Sequence, residues 1–311
     1  ETKTFGRRLF WRDLAYFQLH HFPGMRMKAI RAHYDSARWR ADRGLLRRWQ
    51  KGLTGYPLVD AASRELIATG WVQQNVRMVA ASFLTEFLNI SWTEGVKWYE
   101  DQLVDADLAI NSMMWQNAGR SGIDQWNFLI SPAEAKAQDP TGAYTRRWVP
   151  ELASLPTRFL HRPWEAPPDV LVSSGVCLGK TYPHRCVTDL QAAREEAKQA
   201  TLDMRRGIAG TWMNDRDGYD VIALPSGQKT KVFTKLEYRL SKAGELLNPH
   251  AMPSKNAGKG KGKGRSKGKA RDPERLDAGP APKAKRTSQD GWRQASMDSF
   301  AACAPQQQRR W

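Results

Sequence analysis

The sequence predicts an all-α domain that carries a small β-hairpin and ends in a basic tail with no fold of its own. Three observations lead there. From about residue 7 to residue 205 apolar side chains recur at helical spacing, and alternating strand patterns are scarce. Within residues 218–239 two β-rich runs, "DVIAL" and "KVFTKLEY", flank the turn-forming "PSGQ". After Pro249 the repeats "GKGKGKGRSKGKAR" and "GPAPKAKR" hold too little apolar surface to pack. The boundaries expected are residues 1–205 for the helical domain, 206–250 for the hairpin extension and 251–311 for the tail.

The chain opens on "ETKTFGRRLFWRDL", which enters a helix within a few residues, lacks a signal peptide and looks like the back part of a longer protein. "PLVDAASRELIATG" is a helix with Pro57 at its start and Gly70 as its stop. "VQQNVRMVAASFLTEFLNI" continues at helical spacing until Ser91 to Thr93 restart the chain. Residues 105–119, "DADLAINSMMWQNAG", are helical by composition. Asp107, Asn111 and Trp115 then form one stripe, sharing a face with Leu103, Val104 and Leu108. An ordinary core helix has no use for an acid and an amide there, because an unpaired buried polar group costs about 1–3 kcal/mol. "SPAEAKAQDPTGAY" and "NPHAMP" are expected to be loops.

No apolar run approaches the roughly 20 residues of a membrane span, which removes that class. Cys177, Cys186 and Cys303 form neither a disulfide framework nor a zinc signature, so a reducing compartment is expected and no metal. Ten of the thirteen tryptophans precede residue 165, a density that suits large helical cores, base stacking or electron transfer. Of the net charge of +17, residues 251–311 hold +10, from 15 Lys and Arg against 5 Asp and Glu. The remaining +7 still favours an anionic partner such as DNA.

The stretches "KGLTGYPLVDAASRELIATGWVQQNVRMVAASFLTEFLNISWTEG", "DADLAINSMMWQ" and "RRWVPELASLPTRFLHRPWEAP" resemble the C-terminal flavin-binding domain of the cryptochrome/photolyase family, over roughly residues 5–200. Plant-type cryptochromes and the photolyase-like proteins of plants and algae are nearest in texture. The resemblance implies a U-shaped FAD lined by Arg12, Trp71, Arg77, Asp105, Asp107 and Asn111. It places Asn111 opposite flavin N5 and pairs Arg77 with Asp105 as a buried ion pair. Plant cryptochromes have aspartate where Asn111 stands; an amide cannot give up a proton near neutral pH, so the implied flavin state is anionic or fully reduced. Trp115, Trp92 and Trp39 match the family's electron-carrying tryptophans. An antenna chromophore and the pyrophosphate-binding Thr/Ser loop belong to upstream family segments.

Lesion recognition departs from the family pattern. Trp11 and Met78 match the pocket of enzymes that split pyrimidine dimers, but Asn117 stands for the second Trp, Arg8 for the Glu, and Gln74–Asn75 for the Asn–Arg pair. The histidines of (6-4) photoproduct enzymes are replaced by Gln74 and Met78. The expected function is a blue-light-absorbing FAD protein that transfers electrons through tryptophans, either a divergent DNA photolyase or a photoreceptor with signalling partners. The alternative is a light-independent nucleic-acid-binding scaffold that has lost its cofactor. In the tail, "RQASMDSFAA" has Gln294, Met297 and Phe300 at the spacing of a sliding-clamp docking motif, and "KAKR" resembles a nuclear-import patch.

Overall fold

A computed structural model describes residues 2–123, 130–134, 137–211, 217–224 and 226–247. The basic tail, its clamp-like stretch and "NPHAMP" lie outside the described residues. Residues 2–11 fall in one compact unit and residues 12–252 in another, and the core belongs to the second.

The described helices are α1 (Thr2–His21), α2 (Arg43–Gln50), α3 (Pro57–Thr69), α4 (Gln74–Ser82), α5 (Trp92–Gln102), α6 (Leu108–Ala118), α7 (Ala143–Trp148), α8 (Thr157–Leu160), α9 (Pro168–Ser173) and α10 (Leu190–Gly207). Their ends are chemically marked. Asp42 accepts from Leu45 N at the head of α2, Ser91 from Thr93 N at α5, and Asp189 from Ala192 N at α10, each satisfying an amide that the helix leaves open. Pro57 starts α3, and Gly70 ends it at φ 70°, the left-handed stop the sequence predicts. The run expected to continue as one helix to residue 90 changes pitch instead. α4 ends at Ser82 and a π-helical turn, Phe83–Phe87, follows.

One core joins α2 to α6 through Trp49, Tyr56, Leu66, Val79, Phe83, Leu88 and Val96, with Trp92 and Trp115 inside it and Trp39 packed against it. A second, of Val149, Leu152, Leu155, Leu160 and Tyr182, lies under α7 to α9. Asp60 of α3 stitches two loops together here. It accepts from Thr54 N (2.7 Å), Thr54 Oγ1 (2.6 Å), Gly55 N (3.0 Å) and Tyr182 Oη (2.7 Å).

The hairpin is present as β1 (Asp220–Ala223) and β2 (Lys229–Val232), antiparallel with Asp220 opposite Val232. The second run stops being a strand earlier than "KVFTKLEY" suggests. Residues Leu236–Tyr238 form a 3-10 turn, which lets Tyr238 and Leu240 bury against Leu202 of α10. A buried charge cluster ties the hairpin to the helices. Asp220 takes Arg205 Nη1 at 2.7 Å, Arg31 Nη1 at 3.0 Å and His33 Nε2 at 3.1 Å, and none of these side chains is more than 1% exposed. Burial alone pushes the Asp220 carboxyl up, but the His33 hydrogen bond and the two guanidinium charges outweigh it and hold it far below the usual carboxylate range.

Candidate functional site

The turn between α5 and α6 carries the acids. α5 ends at Gln102, so the stripe expected from Leu103 to Trp115 is not one helix face. Val104 donates its backbone N–H to Gly70 O (2.9 Å), which draws the chain toward the α3–α4 connection and leaves the Val104 side chain in the open. Asp107 is the N-cap of α6. Its Oδ1 accepts from Ile110 N at 2.9 Å, while Oδ2 accepts from Tyr16 Oη at 3.0 Å and lies 4.0 Å from Arg12 Nε.

Arg77 does pair with Asp105, donating from Nη2 at 3.0–3.1 Å, and its Nε is fixed on Val72 O at 2.6 Å. The pair is not buried as expected: the Asp105 side chain is 46% exposed. Among the described residues nothing closes over the Asp105 carboxylate. Exposed pairs contribute little because water screens them. Arg77→Ala should therefore cost the free chain only about 1 kcal/mol in urea unfolding; a loss near that of a fully buried pair would show that the turn is covered.

Beside this pair Tyr16, Trp71, Val104 and Leu108 stand exposed. Large apolar side chains around two carboxylates and two guanidinium groups suit a planar group with a polar edge. The residues that would hold it are Trp71, Arg77, Asp105, Asp107 and Arg12, and the donor set fits FAD.

Asn111 and Trp115 point the other way, into the core. Asn111 donates from Nδ2 to Val96 O (3.3 Å). Trp115 packs edge-on against Tyr99 at 5.1 Å and against Trp49 at 6.2 Å between ring centroids. Two glycines let the tryptophans interlock across α5 and α6. A Cβ on Gly95 of α5 would overlap the Trp115 indole, and one on Gly119 after α6 would overlap the ring of Trp92. Alanine normally favours a helix interior over glycine by about 1 kcal/mol. Here overpacking should win, so Gly95→Ala is expected to lower stability by about 1–3 kcal/mol in thermal unfolding; a gain would mean the indole moves freely.

The proposed lesion residues lie on α1, α4 and α6. Gln74 is exposed and Met78 half-buried on α4, and Asn75 uses its Oδ1 on its own helix start at Val76 N (3.0 Å). Asn117 is buried, with its amide against Gly122. Arg8 is exposed and Trp11 half-buried in the residue 2–11 unit. Sequence reasoning passed over Tyr16, Tyr99, Gly95 and Gly119. A glycine inside the α5 pattern was the one available signal.

A family profile described as the FAD binding domain of DNA photolyase matches residues 5–203. The chain belongs to the cryptochrome/photolyase family and includes its FAD-binding domain. It is 43% identical over 209 residues to a deoxyribodipyrimidine photo-lyase of Agrobacterium fabrum, covering 66% of this chain and 43% of that protein. It is 40% identical over 194 residues to cryptochrome-2 of Arabidopsis thaliana, covering 61% and 32%. The crystal structure of a class III photolyase from Agrobacterium tumefaciens superposes with a TM-score of 0.63 at 41% identity, over 65% of this chain and 42% of that one. The chain thus spans less than half the length of these relatives.

Proposed function

We propose that this chain is the electron-transfer half of a light-driven flavoprotein, in which Trp115, Trp92 and Trp39 carry oxidising equivalents from the flavin face to the outer surface. Bound FAD would supply light absorption and the electron acceptor. The observation that supports this best is the packing of Trp115 on Gly95 and of Trp92 on Gly119, within one core against which Trp39 packs. Indoles are easily oxidised, and a dry core keeps a migrating charge away from water. Arg77 holds the Asp105 carboxylate in place, Asp107 is fixed by its cap and by Tyr16, and Asn111 offers an amide that stays neutral across physiological pH.

DNA is the partner we favour, on the photo-lyase name of the Agrobacterium relative and the positive charge. The broken lesion set keeps photoreceptor signalling beside repair. An antenna chromophore would be held outside residues 1–311, and the basic "KAKR" favours the nucleus. The half-open Asp105 turn supports the second reading, a helical nucleic-acid-binding scaffold without cofactor.

The test is an absorption spectrum of the chain mixed with FAD, followed by blue light with an external reductant. Flavin bleaching that Trp115→Phe slows at unchanged FAD occupancy supports the relay. In a longer chain that also carries the upstream family segments, a colourless protein with no thermal stabilisation by FAD leaves only the scaffold, and bleaching undiminished by Trp115→Phe removes Trp115.

A further inference from the structure

The turn that closes α6 touches both outer tryptophans. Gly119 is the residue against Trp92, and the next, Arg120, lays its guanidinium over Trp39, 5.1 Å from the ring centroid. Arg120 is 4% exposed and has φ 68°, a left-handed backbone that glycine or asparagine adopts far more readily than arginine. An unfavourable conformation kept at a buried charge marks a position held by its surroundings. Arg120 donates to Ala197 O (3.1 Å) and Thr85 O (3.4 Å), and its Nη1 lies 3.7 Å from Glu86 Oε2. Glu86 is shared with Arg194 Nε at 3.3 Å, and Arg194 also pairs with Glu237 at 2.8 Å. The Arg194 guanidinium lies 5.8 Å from the centroid of the Tyr238 ring, and Arg40, next to Trp39 in the chain, pairs with Glu196 at 2.7 Å. Arg120 and Arg194 thus share the Glu86 carboxylate, and Arg194 also holds Glu237. Glu237, Lys235 and Tyr238 all follow the hairpin, beyond the family-matched residues 5–203.

We propose that Arg120 is a positioning residue for Trp39: it holds the neutral ring by cation–π attraction and repels positive charge on the oxidised ring, so that oxidised Trp39 gives up its indole proton. The inference rests on Trp39 as the outer member of the relay. One electron passes from Trp39 to oxidised Trp92, which returns to its neutral form. The N–H proton of Trp39 leaves to water, and a neutral indolyl radical remains. Proton loss makes the transfer one-way, because the returning electron would need the proton too.

The flavin-free chain tests this. A pulse of azide radical, a one-electron oxidant, is applied and the trace of the Trp39→Phe chain is subtracted, leaving the Trp39 signal. Arg120→Gln should lengthen the life of the Trp39 radical cation by about 10-fold, the scale of a desolvated cation–π contact. Arg120→Lys, which keeps the charge, should stay close to the unaltered chain. Glu86→Gln, which strips Arg120 of its counter-charge, should shorten the life further and serves if Arg120→Gln does not fold. Equal lifetimes across these chains, Lys behaving as Gln, or no Trp39 signal at all would each overturn the proposal. An FAD-loaded chain that fails to bleach removes the relay reading without changing these lifetimes.

Discussion

Asp220→Asn is expected to lower the unfolding free energy by about 3–5 kcal/mol, because it strands two buried cations. Arg31 and Arg205 are 1% and 0% exposed at their side chains, and Asp220 is the carboxylate paired with both. Their remaining partners are neutral: Gly122 O at 2.6 Å and Phe233 O at 2.7 Å for Arg31, and Tyr238 O at 2.6 Å for Arg205. Asparagine keeps the shape and one acceptor but none of the charge. Urea midpoints at neutral pH measure the loss, and a change under 1 kcal/mol would mean water reaches the cluster. The pH dependence has a definite sign. The carboxyl is held below its unfolded value, so its contribution is complete above an unfolded pKa of about 3.9 and is lost as pH falls toward the folded value. Wild type and Asp220→Asn should therefore converge in stability below pH 4 and differ most above it.

Asp60→Ala should cost about 3 kcal/mol or more, since it leaves four donors at one buried point without an acceptor. Thr54 N, Thr54 Oγ1, Gly55 N and Tyr182 Oη all converge on this carboxylate. Thermal unfolding gives the size of the effect, and limited proteolysis locates it: new cuts are expected near residues 52–56 and 178–188. A melting point close to wild type, with an unchanged digest, would show that the loops hold without Asp60.

What the sequence made readable was local. Pro57 and Gly70 mark the ends of α3 because a missing N–H and a left-handed φ are properties of single residues. The spacing of Asp107, Asn111 and Trp115 pointed at a special site, yet it could not separate a capping acid from an interior one, since both occur one turn before Asn111. The Arg77–Asp105 pairing came from family resemblance and holds in space; its exposure depends on what lies over it, which no local pattern records. The strand in "KVFTKLEY" ends early because Tyr238 is drawn to α10, and that demand comes from elsewhere in the chain. Asp220, in a β-rich run, carried no mark of burial. Gly119 and Arg120 look like an ordinary helix exit until the indoles against them are known.

The order of synthesis gives the hairpin cluster a further consequence. Arg31 and Asp220 stand 189 positions apart, so at ribosomal speeds of about 5–20 residues per second the arginine emerges roughly 10–40 s before its counter-ion exists. Until then a closed core around Arg31 would enclose a bare charge. Desolvating an unpaired guanidinium is costly, so Arg31 is expected to stay hydrated over that interval. Synthesis of β1, which carries Asp220, is thus the step expected to let the segments around Arg31 finish packing.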